Sequence, residues 1–194
     1  MALSKETKWV LLPEELVNRV SEIALKNGVS LSHFVSEALE QAIRVNGMGS
    51  SLEDAADVFD IHKVMRASGA IQIPRSDFSN MIKENYEKDR EKLLEDWHTA
   101  GRWYGEYLRA IFRDEALGYL EKVLLFSWNL NEIEVVEGHY TVRIHFISFT
   151  MSLEFTELLI SFISGLMTIL GYNVEDVDSV RGLATVTYKM NVGV

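Results

Sequence analysis

Residues 7–45 constrain the fold more than any other stretch. A short apolar run, Thr7 to Leu12, leads into two amphipathic helix patterns and then a glycine-rich break. A segment of ~40 residues buries too little area to be stable alone, and a lone strand needs a hydrogen-bonding neighbour. Pairing with the same strand of a second chain meets both needs. The segment is therefore predicted to be half of an interwoven homodimer.

Thr7 to Leu12 reads as extended, with Pro13 as its stop. Glu14 to Lys26 fits a helix, with Leu16, Val20, Ile23 and Ala24 on one face and acidic residues in the first turn. Asn27-Gly28 ends it, glycine supplying a left-handed cap. Ser30 caps a second helix whose apolar face is Phe34, Val35, Ala38, Leu39, Ala42 and Ile43. Gly47 to Ser51 is the linker. Beyond it, Ser50 or Ser51 starts a helix through Val58, Ile61 and Met65, which Gly69 breaks. Ala70 to Pro74 reads as short and extended. Further helices are predicted over 77–95, 97–112 and 115–126.

After Asn129 the apolar period falls from about 3.6 to 2. Ile133 and Val135, then Val142, Ile144 and Phe146, alternate with polar residues around Glu137-Gly138-His139, a hairpin pattern. Leu153 to Leu170 reads as an apolar helix closed by Gly171. Tyr172 to Val180 and Leu183 to Met190 form a second hairpin around Arg181-Gly182.

The chain has 194 residues, 47% of them hydrophobic and 10% aromatic, enough to fill a core. It lacks cysteine, which excludes disulfides and thiolate metal sites. Met1-Ala2-Leu3-Ser4-Lys5 shows no signal-peptide pattern. The apolar stretch Leu158 to Leu170 is shorter than the roughly 20 residues that span a bilayer. The expectation is a soluble cytoplasmic protein with no membrane partner. Net charge is −10, and residues 1–47, with five basic against six acidic side chains, contribute only −1 of it. No segment has the positive excess of a nucleic-acid surface.

Leu12-Pro13-Glu14-Glu15-Leu16, Gly28-Val29-Ser30-Leu31-Ser32 and Phe34-Val35-Ser36-Glu37-Ala38-Leu39 resemble the ribbon-helix-helix family of the Arc, methionine and nickel-responsive repressors, over about residues 5–46. The resemblance implies that the outward ribbon residues Thr7, Trp9 and Leu11 enter the major groove of double-stranded DNA, with Lys5 beside them. A one-residue slip would turn Lys8, Val10 and Leu12 outward instead. It also implies that Val29, Ser30 and Leu31 offer backbone N–H groups to a phosphate, with the Ser30 and Ser32 hydroxyls nearby. Trp9 and Leu11 depart from the family's polar or basic readers. Two readings stay open: DNA binding, or a unit that only dimerises and leaves Trp9 and Leu11 as a contact patch.

Further on, Trp97 to Glu106 (with Ala100-Gly101-Arg102), Phe162 to Glu175 and the Arg181-Gly182 turn resemble the 4-vinyl reductase domain, a small-molecule-binding family related in fold to haem-type nitric oxide sensors. The resemblance covers about residues 70–191 and lacks the family's terminal cysteines. It implies a ligand-sensing role. On physical grounds the aromatic helix 97–112 and a sheet bearing Tyr140, Phe146 and Phe149 can line an apolar cavity or simply fill the core. Trp103, Tyr107 and Phe146 are the candidate contacts for a small apolar ligand.

His33, His62, His98, His139 and His145 form no His-x-His pair, and no metal or other cofactor is expected. There is no Gly-x-Ser-x-Gly, phosphate-cradling glycine loop or His-Glu-x-x-His, so no enzyme is expected. The combined expectation is an α+β protein: a ribbon-helix-helix dimerisation unit (1–47), a connecting helix (48–69), and a domain (70–194) whose antiparallel sheet packs with helices. The expected function is a homodimeric DNA-binding transcriptional regulator with a sensing or assembly domain. Its competitor is a dimeric scaffold that binds no DNA.

Overall fold

The computed structural model describes residues 8–67, 69, 73–128 and 130–191. Lys5 and Thr7 of the expected ribbon lie outside the described residues, as do Ala70 of the expected extended segment and Asn129. The chain forms two compact units, residues 1–56 and 57–194.

In the first unit, α1 (Glu14–Lys26) and α2 (Leu31–Gly47) pack on each other, and α3 (Leu52–Ala67) begins near its end. The predicted caps are present. Gly28 sits at φ 71°, where an L side chain would be strained. The Ser30 hydroxyl accepts from the His33 N–H at 3.2 Å. Ser51 and Asp54 exchange side-chain-to-backbone bonds of 2.8 and 3.0 Å, a reciprocal cap that starts α3.

The ribbon expectation is corrected here. Lys8 to Leu12 form no strand, and the first regular element is α1. Among those five residues only Val10 is β-branched, and an extended segment without a ladder partner leaves its backbone groups to water. Pro13, at φ −57° and ψ 136°, leads straight into α1. The strand expected to join two copies is not formed by Lys8 to Leu12.

In the second unit α4 (Arg75–Lys88), α5 (Arg90–Phe112) and α6 (Ala116–Trp128) precede the hairpin β1 (Glu132–Glu137) and β2 (Thr141–Ile147). Then α7 (Leu153–Ile169) leads to the hairpin β3 (Tyr172–Val180) and β4 (Leu183–Met190). The expected helix over 77–95 is divided at Asp89, whose side chain accepts from the Lys92 N–H at 3.1 Å and caps α5. All strand pairs are antiparallel, in the order β1-β2-β4-β3. The two central strands turn Val142, Ile144 and Phe146, and Ala184, Val186 and Tyr188, to the same side. All six are fully buried, together with Leu159, Ile163, Leu166 and Met167 of α7 and Leu120, Val123 and Leu124 of α6. The α+β architecture with an antiparallel sheet packed against helices is thus as expected for this unit. Among the described residues, no helix is long and apolar enough to cross a membrane.

Helix α7 is held between this sheet and α5. Gly101 and Gly105 of α5 face Phe162 and Leu166 of α7, and Gly165 faces the backbone of His98. A Cβ added at Gly101 or Gly165 would overlap the carbonyl oxygen of Phe162 or of His98. The two backbones therefore touch, and glycine alone allows it. The Ser161 hydroxyl donates to the Leu94 carbonyl at 2.7 Å, and an Arg109 Nη donates to the Ile169 carbonyl at 3.3 Å. Pairing 94 with 161 and 109 with 169 means that α5 and α7 run in the same direction.

Replacing Gly165 with Ala must push the helices apart, at a cost of about 3 kcal/mol. Its thermal midpoint in circular dichroism should fall by about 10 °C. Gly118→Ala, also helical but with open space around its Cβ, should hold or raise the midpoint, since alanine favours a helix by about 1 kcal/mol.

Candidate functional site

Because α5 and α7 run in the same direction, their C-terminal ends meet one edge of the second unit. A cleft of about 650 Å³ opens there, within the size range of small-molecule sites. Its apolar floor is Leu117, Ile169 and Leu170, beside the buried Ala116. Its polar lining is Arg109, Arg113, Glu137 and Tyr172. Gly118 and Glu137 also border a neighbouring hollow of about 410 Å³ that reaches Glu115, Tyr119 and Lys122.

Each polar group is placed by a distinct local cause. Arg109, in the last turn of α5, is committed to structure: one Nη holds Glu106 at 2.6 Å and the other the Ile169 carbonyl. This is the position where a cation complements helix C-terminal carbonyls. Arg113 follows the end of α5 at φ 50° and ψ −121°, and is the single non-glycine residue with positive φ among those described. Such a conformation costs about 1–3 kcal/mol in a residue bearing a side chain. Its N–H still donates to the Arg109 carbonyl, closing the helix. Tyr172 opens β3; burial, and then the Glu137 carboxylate, raise its hydroxyl above the ordinary tyrosine range, so it stays a proton donor at neutral pH. Glu137 ends β1.

The charges divide into used and unused. Lys122 pairs with Asp57 of α3, and its ammonium lies 5.8 Å from the Tyr119 ring, which stacks on Phe112 at 4.0 Å. The side chains of Arg113 and Glu137 form no ion pair or hydrogen bond among the described residues, not even with each other. Another cleft, of about 700 Å³, has its charged groups engaged. There Lys83 pairs with Glu87, Arg181 Nε donates to the Met151 carbonyl at 3.3 Å, and the Ser152 hydroxyl holds Glu154 below the usual carboxylate range.

The residues singled out from the sequence lie elsewhere. Trp9 and Leu11 are 99% and 98% exposed on a segment without strand structure. Ser30 is occupied in capping α2, Leu31 is its first residue, and Val29 and Ser32 flank these. Phe146 is fully buried under α7, Tyr107 packs partly buried against the same core, and Trp103 is 66% exposed on the far side of α5. None of the three is among the lining residues of these clefts. Tyr104, one position on from Trp103, is the buried aromatic of that turn. Burial pushes its hydroxyl up to about 12, against a smaller lowering from the nearby Ser127 hydroxyl, which itself donates to Met65 Sδ at 3.8 Å. Arg113 and Glu137 were missed in the sequence because they belong to no motif. An arginine after a helix end was their one local trace.

No family model matches this chain, and no curated protein does. Among solved structures the chain is similar to H-NOX domains. One, from work on haem distortion in the H-NOX family, aligns at TM-score 0.41 and 11% identity, covering 69% of this chain and 86% of the other. A Cs H-NOX mutant with 4-cyano-L-phenylalanine at its site 5 aligns at 0.40 and 11%, covering 68% and 85%. A third, from work on H-NOX activation, aligns at 0.38 and 10%, covering 72% and 91%. Likeness at this level transfers neither haem nor gas sensing to the present chain. The ribbon-helix-helix and 4-vinyl reductase resemblances are corrected: no family model supports either, and the described N-terminal residues hold no strand. The expected DNA-binding transcriptional regulator is corrected with them, because the base-reading ribbon it required is not formed among the described residues.

Proposed function

We propose that residues 57–194 form a small-molecule-binding domain that acts by binding its ligand and not by transforming it, with the cleft at the C-terminal ends of α5 and α7 as its site. One observation carries this reading: Arg113 and Glu137, opposite charges whose side chains make no ion pair or hydrogen bond among the described residues, stand over an apolar floor in a cleft of about 650 Å³. Apolar lining with a few convergent polar groups is the usual make-up of a ligand pocket. A nucleophile with a base in reach is not among the cleft's lining residues, which favours binding over catalysis.

A screen of small amphiphiles by amide correlation spectroscopy tests this on the full chain. Binders should shift the amides of Leu117, Gly118, Glu137 and Gly171 together, and Gly118→Gln, projecting into open space, should abolish the shifts. Shifts clustered elsewhere, with those amides unmoved, would contradict it.

A second observation concerns the first unit. Leu25, Leu39, Ile43 and Met48 are exposed, Ile43 by 73%, and no residue of α2 is buried. Two short helices with so little interior need an apolar partner. The near-zero charge of residues 1–47, within a chain of −10, lets two copies meet without repulsion. We therefore propose self-association through the apolar faces of α1 and α2. Sedimentation equilibrium of the full chain should give a mass above one chain, falling to one in Leu39→Glu/Ile43→Glu. A monomeric parent chain at 100 µM, roughly a hundred times a micromolar dimer constant, would refute it.

A further inference from the structure

Resting on the reading of the α5–α7 cleft as a binding site, we infer that its ligand is a small zwitterion with an apolar body, of the apolar amino-acid class: its carboxylate on Arg113, its ammonium on Glu137, and its side chain on Leu117, Ile169 and Leu170. A guanidinium and a carboxylate line one cleft yet stand beyond ion-pairing distance of each other. A lone anion placed there would gain Arg113 but face Glu137, and a lone cation would meet the reverse. A ligand carrying both charges satisfies both walls at once, and charge-assisted hydrogen bonds are the stronger kind.

The surroundings fit the same assignment. Arg109 cannot serve the carboxylate freely, because Glu106 and the Ile169 carbonyl already hold its guanidinium. The Arg113 side chain makes no ion pair or hydrogen bond among the described residues, and its positive φ fixes where that side chain departs from the end of α5. Tyr172 keeps its proton and can donate to a ligand oxygen. The floor contributes apolar area but no further charge.

The test is a titration of the full chain, by calorimetry and amide shifts, with L-leucine and L-phenylalanine. N-acetyl-L-leucine (carboxylate only) and L-leucinamide (ammonium only) are the comparison probes. The free amino acids should bind about tenfold or more tightly than either blocked form, roughly one charge pair's worth, and shift the Gly118 and Gly171 amides. Arg113→Gln should bring leucine down to the affinity of leucinamide, and Glu137→Gln down to that of N-acetyl-leucine. Arg113→Gly, which frees the backbone of its strained φ, should lose the same affinity while unfolding at a higher temperature than the parent chain. If a blocked form binds the cleft as tightly as leucine, the cleft is a site but the zwitterion assignment is wrong. If no probe at millimolar concentration moves Gly118 or Gly171, the binding site itself is refuted.

Discussion

The second unit depends on two helix backbones touching. Gly101, Gly105 and Gly165 remove the side chains that would hold α5 and α7 apart, and the carbonyls of Phe162 and His98 occupy the vacated space. Close approach of this kind brings Cα–H groups against carbonyl oxygens and raises dispersion contact along the whole crossing. With α5 so near, α7 can present its other side to the sheet, where Leu159, Ile163 and Leu166 meet the inward residues of β2 and β4. The shared direction of the two helices then fixes where their ends lie, and hence where the cleft opens. Polar ties lock α7 along its length. Thr156 accepts from the Gly182 N–H at 2.8 Å, and Ser164 meets the buried Tyr188 hydroxyl at 3.2 Å.

Much of this was legible in the sequence where a local rule governs. The alternation of β3 and β4 around Arg181-Gly182 needs only a period of two and a left-handed turn, and both strands run where they were expected. The same holds for α1 and its Gly28 end. Other features depend on distant partners. Lys8 to Leu12 has the apolar character of a strand, but no described residue pairs with it to complete a ladder. The break at Asp89 is hidden because residues on both sides favour helix. That β4 pairs with β2, with α7 and β3 intervening in sequence, is decided by packing, not by any motif.

The candidate site shows the same limit more sharply. Arg113 and Glu137 stand 24 positions apart, one after a helix and one at a strand end, and only the tertiary fold brings them to one cleft. The aromatic residues that attracted attention instead follow packing: Phe146 fills the core, while Trp103 lies on the exposed side of α5. Aromatic density in a helix reports a large interior more reliably than it reports a ligand.

Amide hydrogen exchange on the intact chain tests the central contact most directly, because protection reports which backbone segments open only when the whole domain unfolds. The account requires residues 98–108 of α5 and 158–167 of α7 to be the slowest, exchanging together with β2 and β4 and far behind α1 and α2. Exchange of 98–108 as fast as that of α1 and α2, with α7 and the sheet still protected, would show that the glycine-mediated crossing is not what holds the unit together.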